Sequence, residues 1–341
     1  MEFSLRYGLN PHQAPARACS QRFPFRIVNG EPGTINLLDA LMSWQVVREL
    51  PPVAAASVKH THPAGVAVAA TPTEAYAAAR DADPVASYGD WVALNVPCDL
   101  AAAESLRRLV SDGIIAPGFE TGVVDVLAAK KGGRFVVLEA DPFYEPPDVQ
   151  RREVFGVTLE QHGGAVDDEP RTVAWITVKH AVSNAVVLAL DDRTIGIGCG
   201  QQSRIAATRL ACEKAEVWWL RRHPRVEQAR FRHGVRGHER QTAIDLFLRG
   251  ELYRSAYVDA FAVPPEPLTS ADRSEWIGRL DGVTMASDGA IPFPDNVERA
   301  ARSGVRTIVH PGGSARDDEV AAAASRLGVT IVETGVRAFH H

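Results

Sequence analysis

The sequence predicts a layered α/β protein, and three observations lead there. Apolar runs of strand length alternate with helix-length stretches, Gly and Pro punctuate the alternation, and two short blocks recur in the same order. Val58-Lys59-His60 returns as Val178-Lys179-His180, each closing an apolar run, and Ser111-Asp112-Gly113-Ile114-Ile115-Ala116-Pro117 returns as Ser287-Asp288-Gly289-Ala290-Ile291-Pro292. The recurrence suggests one module present twice, over 1–150 and 173–341, joined by a linker at 151–172. Spacing differs between the copies, so the second is expected to carry an insertion at about 205–283.

The first 35 or so residues are rich in turn formers, among them Asn10-Pro11, Asn29-Gly30 and Pro32-Gly33. A helix is predicted from Leu37 to Leu50, with Leu38, Leu41, Val46 and Leu50 near helical spacing and Pro51-Pro52 ending it. Val53–Val58 reads as a buried strand that Pro63-Ala64-Gly65 breaks. An Ala-rich helix follows from Pro72 to about Arg80, then a strand at Asp90–Val96, a helix at Leu100–Val110, a strand at Gly113–Pro117, a helix at Val123–Lys131 and a strand at Phe135–Leu138. Pro142, Pro146-Pro147, Gly163-Gly164 and Asp167-Asp168-Glu169-Pro170 make 141–172 the region with the strongest linker composition. Strands are then predicted at Val173–Lys179 and Ala185–Leu190 and a long helix from Ile205 to His223. The tail alternates helix (Asn296–Ser303), strand (Thr307–His310), helix (Asp317–Leu327) and strand (Thr330–Val332).

At 341 residues with 45% hydrophobic content the chain can bury a sizeable core. A net charge of −5 argues against a general nucleic-acid or membrane-surface binder, since both need a basic surface. No apolar stretch approaches the roughly 20 residues of a membrane span, and the start Met1-Glu2-Phe3-Ser4 lacks the pattern of a signal peptide. Cys19, Cys98, Cys199 and Cys212 have no paired spacing and read as free thiols in a reducing cytoplasm.

Lys59-His60-Thr61-His62-Pro63-Ala64-Gly65 is the sharpest local feature. Adjacent strand residues face opposite sides, so Lys59 and His60 converge only where the strand ends and bends. That is also where α/β sheets place ligands. Histidine suits general-base work near neutral pH, and lysine can stabilise a developing oxyanion. From the dipeptide alone, an exposed turn without chemistry is the commoner reading. A zinc site of the nucleoside-deaminase kind is rejected: Thr61-His62 replaces the required x-Glu after His60, and Ala101 stands where the second cysteine after Pro97-Cys98 belongs. Gly196-Ile197-Gly198-Cys199-Gly200 precedes a helix and reads either as an anion-binding turn or as a tight turn followed by a solvated Arg204. Pro311-Gly312-Gly313-Ser314 leads into a helix whose Asp317, Asp318 and Glu319 suit the helix dipole and make phosphate binding there unfavourable. The terminal Arg337-Ala338-Phe339-His340-His341 is expected to fray.

The ordered combination of these blocks resembles the AICAR transformylase half of the bifunctional purine-biosynthesis enzyme. The resemblance is carried by Leu5 to Gln13, Asn29-Gly30 through Asn36-Leu37-Leu38-Asp39-Ala40-Leu41, Val58-Lys59-His60, Ser111 to Gly118, Gly196 to Arg209, Trp218-Trp219-Leu220-Arg221 and Ser287 to His341. It covers nearly the whole chain. It implies two tandem cytidine-deaminase-like three-layer α/β/α modules, a homodimer with active sites at the interface, AICAR or a close analogue as acceptor, and 10-formyltetrahydrofolate as formyl donor, with no metal. By the same resemblance Lys59, His60 and Asn184 are catalytic, with His60 the base and Lys59 stabilising the tetrahedral species. Arg6, Tyr7, Asn36, Gly89, Asp112, Arg204 and Arg337 fall at nucleotide positions. Ile205, Ala290, Asp295, Ser314 and Ala315 fall at folate positions.

The sequence departs from that family at several points. Only the transformylase half is represented, which places ring closure on a separate cyclohydrolase. The chain is short around 70–87 and 163–175. Ala290-Ile291 replaces two adjacent aromatics, and His62 and Met42 replace amides. Loss of aromatic stacking on the folate would cost about 0.5–1.5 kcal/mol, up to roughly tenfold in affinity. An AICAR analogue as substrate, or a non-catalytic nucleotide-binding descendant, are the alternative readings.

Overall fold

The computed structural model describes residues 1–163, 170 and 172–341. Strands β1 (Glu2–Leu5) and β2 (Ala16–Cys19) pair antiparallel at the N-terminus, where only turns were expected. Then come β3 (Phe25–Asn29), α1 (Thr34–Arg48), β4 (Ala54–Lys59), β5 (His62–Val68), α2 (Pro72–Asp81), β6 (Asp90–Leu94), α3 (Leu100–Arg107), β7 (Ser111–Ala116), α4 (Val123–Ala128) and β8 (Val136–Ala140). A hairpin of β9 (Val149–Val154) and β10 (Val157–His162) follows. Next are α5 (Val173–Lys179), β11 (Val186–Leu190), β12 (Arg193–Gly198), α6 (Arg204–Leu220), α7 (Pro224–Glu227), α8 (Gly237–Arg249) and α9 (Ser270–Ile277). The chain ends with β13 (Val283–Ser287), α10 (Pro294–Ala301), β14 (Val305–His310), α11 (Asp317–Leu327) and β15 (Thr330–Glu333).

Eleven strands form one sheet in the order β15-β14-β13-β11-β12-β5-β4-β6-β7-β8-β3. Its two halves are built alike. β4 pairs antiparallel with β5 and β6, and β7 and β8 add in parallel. β11 pairs antiparallel with β12 and β13, and β14 and β15 add in parallel. The halves meet at β5 and β12, where Thr194 Oγ1 accepts from the Val66 amide at 2.9 Å and the Val68 amide donates to Asp192 O at 2.8 Å. Helices α1 and α5 cover one face in a single apolar core that runs through both halves. On the other face α2, α3 and α4 cover the first half, and α6, α10 and α11 the second. Helices α7 to α9 gather around a separate small core that includes Phe247 and Phe261.

Three sequence expectations are corrected here. Val173–Lys179 is a helix, not a strand: Thr172 caps it by accepting the Trp175 amide at 3.3 Å, and its first six residues are buried. A continuous apolar run does not distinguish a buried helix from a buried strand. Pro63-Ala64-Gly65 lies inside β5 rather than breaking the chain, and a Cβ on Gly65 would come 1.9 Å from Ala79 O of α2. Gly196 and Gly198 likewise lie in β12, where a Cβ would come 2.1 and 2.2 Å from the Ala211 and Ala207 carbonyls of α6. These glycines let a helix lie directly on the sheet, and only Gly200, at φ +66°, makes the turn. Within 141–172, β9 and β10 form a hairpin, while Gly164 and Asp167-Asp168-Glu169 lie outside the described residues.

The echoed blocks do not occupy equivalent places. Lys59-His60 ends β4, whereas Lys179-His180 ends α5. The second pair is an anchor: Lys179 Nζ and His180 Nε2 meet the Glu49 carboxylate at 2.9 and 2.7 Å, fastening α5 to the end of α1. Burial pushes the Glu49 carboxyl up, but the His180 hydrogen bond and charge, then those of Lys179, outweigh it and bring it to about 2. A depressed carboxyl stabilises the fold above its unfolded value of 4.5 and loses that contribution as pH falls towards 2. Glu49→Gln is therefore expected to cost about 1–2 kcal/mol in urea unfolding at pH 7. The difference from the parent should shrink steadily below pH 4.5. A pH-independent difference would refute the assignment.

Candidate functional site

The site is built on the β4–β5 hairpin. Its two-residue turn, His60 and Thr61, has φ of +53° and +62°, the left-handed geometry that suits the twist of such hairpins but that bulky residues adopt at a cost. Asp39, reaching across from α1, accepts the Thr61 amide at 2.6 Å. The turn leaves the His60 side chain exposed at the tip, while Lys59 leans back and donates from Nζ to Tyr88 O at 2.6 Å. Gly89, at φ +77°, follows directly, and a Cβ there would stand 4.0 Å from Lys59 Nζ.

Other expected nucleotide positions gather at the start of α1. The Arg6 amide donates to Pro32 O at 3.1 Å, and its guanidinium bonds Tyr7 Oη at 2.7 Å and lies 4.7 Å from the Tyr7 ring centre. The Tyr7 ring lies against Gly33, whose Cβ would come 3.1 Å from it. Asn36 accepts the Gly33 amide at 3.0 Å, capping the helix one turn before Asp39. Asp112, at the start of β7, forms an ion pair with Lys131, a partner the sequence did not suggest.

The second half approaches this cluster through the Gly200 turn. His62 Nε2 stands 3.9 Å from where a Gly200 Cβ would be, and His62 Nδ1 is 2.5 Å from His60 O. The Asn184 amide and side-chain Nδ2 both donate to Gln201 O, at 3.0 and 2.9 Å. Lys59 and His60 are thus on the β4–β5 hairpin and Asn184 is bonded to Gln201, next to the Gly200 that faces His62 of that hairpin.

Arg204 is not solvated. It is buried, paired with Asp288 and donating to Ala185 O at 2.8 Å, and its Nε is buried without a partner. Asp288 also accepts from Ser183 Oγ, and its carbonyl accepts the Ala338 amide at 2.9 Å. The Ser183 amide donates to His340 O at 2.9 Å and the His340 amide to Ser183 Oγ at 3.1 Å. The terminal segment is therefore stitched onto the site rather than frayed. Arg337 itself is exposed, 4.7 Å from the Phe339 ring centre.

The expected folate positions lie on two neighbouring loops. His310 joins them: its Nδ1 accepts the Gly312 amide at 3.3 Å and the Ile291 amide at 3.5 Å, and burial holds its pKa below the usual range. Ala290 and Ser314 are half-buried, and Ala315 is exposed beside Arg316, which covers the Phe293 ring. Ser314 and Gly313 amides are held by Asp317, which confirms a structural role for that carboxylate. Asp295 is exposed and accepts from Asn296 at 2.8 Å, and Ile205 is half-buried beside Arg204. Ile291 is fully buried in the core of the second half, so of the two replaced aromatics only Ala290 borders the surface. Among the described residues no group of three or more His, Cys, Asp or Glu side chains is placed to hold a metal, and no helix is long and apolar enough to cross a membrane.

A family model described as the AICARFT/IMPCHase bienzyme matches residues 1–172 and 167–214. The chain is 34% identical over 359 residues to the bifunctional purine biosynthesis protein PurH of Chloroflexus aurantiacus, covering 99% of this chain and 59% of that one. It is 33% identical over 372 residues to the protein of the same name from Anaeromyxobacter sp. strain Fw109-5, with the same coverage. The chain thus spans 59% of the length of the curated relatives it matches.

Proposed function

The chain belongs to the AICARFT/IMPCHase bienzyme family, and on that premise we propose that it transfers a formyl group from 10-formyltetrahydrofolate to the 5-amino group of AICAR, giving FAICAR. The observation that carries the reading is the hairpin turn presenting Lys59 and His60 beside the Asn184 turn. The AICAR amine attacks the formyl carbon, and His60 removes the proton that the amine loses. The carbonyl oxygen becomes an oxyanion facing Lys59, whose ammonium can leave Tyr88 O for the stronger charge. The oxyanion then collapses, the bond from carbon to the folate nitrogen breaks, and that nitrogen takes up a proton. Arg6, Tyr7, Asn36, Gly89, Asp112, Arg204 and Arg337 are assigned to the nucleotide. Ile205, Ala290, Asp295, Ser314 and Ala315 are assigned to the folate. FAICAR then requires a cyclohydrolase activity to close its ring, and we assign the reaction to the cytoplasm.

Incubation with AICAR and 10-formyltetrahydrofolate, followed by the absorbance of released tetrahydrofolate, tests this. Turnover on the order of 1–10³ s⁻¹ would support it. Tight AICAR binding without turnover would shift the assignment to another donor or to a nucleotide-binding descendant. A second reading, an AICAR analogue as acceptor, is favoured by one observation: Ala290 leaves the folate side of the site without its expected aromatic. Its mark would be faster turnover with the analogue than with AICAR.

The partner protomer is a second copy of this chain. The β9–β10 hairpin sets Val154 opposite Val157 and Arg152 opposite Leu159, so one face is apolar towards the tip, with Phe155 fully exposed at the turn. An isolated two-stranded hairpin is marginal in water and needs cover. Arg152, midway along the hairpin, bonds His341 O of the terminal segment. Two such arms related by a two-fold axis would each cover the other protomer near the site. Phe155→Asp combined with Leu159→Asp is expected to raise the dimer dissociation constant by about 30-fold or more in sedimentation experiments. An unchanged constant would remove the hairpin from the interface.

A further inference from the structure

Asp39 belongs to a block that carries the resemblance but has no role assigned by it. It sits in the second turn of α1, beyond the first turn in which a carboxylate gains from the helix dipole. It is buried and, among the described residues, forms no salt bridge. A buried carboxylate without a cation is costly unless hydrogen bonds hold it. Such a hydrogen bond comes from the hairpin turn, whose Thr61 amide donates to Asp39 at 2.6 Å. The amide is aimed at the carboxylate by a turn in which His60 and Thr61 are both left-handed, a conformation that the β-branched Thr61 adopts at a cost.

From this geometry we infer that Asp39 is a positioning residue for the reaction proposed above: it fixes the His60–Thr61 turn and so sets where Lys59 and His60 meet the substrate. The inference rests on that reading for its kinetic consequence but not for its structural one. Burial raises the Asp39 carboxyl, helped by the charge of Asp112, and the Thr61 and His60 backbone and the charge of His60 offset only part of that rise. The carboxylate and the turn therefore depend on each other. Without Asp39, Lys59 remains tethered to Tyr88 O while His60 is free to leave the left-handed region, and the pair separates. A misplacement of about 1 Å at a reacting group is worth roughly 10²-fold in rate.

The test is a series of variants assayed for kcat, for AICAR affinity by calorimetry and for amide exchange. Asp39→Ala is expected to lower kcat by about 10²-fold with AICAR affinity held within about threefold. Asp39→Asn keeps a carbonyl acceptor and should retain most of the rate. Thr61→Gly, which adopts a left-handed φ freely, should restore part of the rate lost in Asp39→Ala. A residue needed only for packing would not be rescued by a glycine on another element. An unchanged kcat in Asp39→Ala would overturn the inference, as would a parallel loss of kcat and affinity that Thr61→Gly does not recover. Should the parent protein not formylate AICAR, the functional reading falls by itself. Amide exchange still decides the role of Asp39: selective loss of protection at His60 and Thr61 in Asp39→Ala supports it, and unchanged protection overturns it.

Discussion

Replacing His60 by alanine is expected to lower kcat for formyl transfer by about 10²–10⁴-fold, the range for removal of a general base. AICAR affinity should be nearly unchanged. His60 is exposed at the hairpin tip and packs in no core cluster, so the substitution should shift stability by no more than about 0.5 kcal/mol. The aminoimidazole amine is conjugated with its ring and is a weak nucleophile, so attack on the formyl carbon needs its proton removed as the bond forms. The neighbouring His62 cannot readily replace His60, because its Nδ1 is engaged with His60 O and its Nε2 faces the Gly200 turn. Single-turnover measurements with saturating substrates would separate this effect from product release. A variant that retained more than about a third of the parent rate would move the base elsewhere, and the pH profile of Lys59 variants would be the next place to look.

The alternation of elements was legible because strand and helix lengths differ and turn residues mark the joints. Most tail elements, and the strands at β4, β6 and β7, fall within a few residues of their expected bounds. The failures have particular causes. Val173–Lys179 is apolar on every side because α5 is buried on every side, which erases helical periodicity. The glycines of β5 and β12 look like loop residues because the helix that presses on each is the next element along the chain and meets it through small Ala residues, a contact that leaves no periodic signal. The recurring Val-Lys-His suggested a repeat, yet its copies lie on a strand and on a helix. The resemblance between the halves is in strand order and direction, which no short block records. Lying at the end of β4 and the start of its hairpin turn, Lys59 and His60 were singled out by residue type and by the resemblance. Asp39, Asp288 and His310 were not, since each acts through backbone or buried partners contributed by another element.

Asp288→Ala is expected to be the most destabilising single change in the site, at about 3–5 kcal/mol in urea unfolding at pH 7. The Asp288 side chain is fully buried and that of Arg204 nearly so. Removing the carboxylate leaves a guanidinium without its counter-charge in a place where its Nε already lacks a partner. Arg204 packs closely against Gly289, where a Cβ would come 2.6 Å from Arg204 Nη2 and 2.6 Å from the Phe339 ring. The same carboxylate anchors Ser183, whose hydroxyl accepts the His340 amide, so the loss should spread to the terminal segment and to the adjacent Asn184 turn. Asp288→Asn keeps an acceptor for Arg204 or Ser183 and should cost less. Replacing both Arg204 and Asp288 by apolar residues should recover much of the stability, because a buried pair contributes little beyond what its own desolvation removes. That double variant should still fail in catalysis if Arg204 binds the nucleotide. Stability and activity would then separate, with the salt bridge shown to hold an arginine in place for substrate rather than to hold the fold. A loss below about 1 kcal/mol in Asp288→Ala would mean that water reaches the pair, as at surface ion pairs, and Arg204 would then be free to turn towards a phosphate without cost.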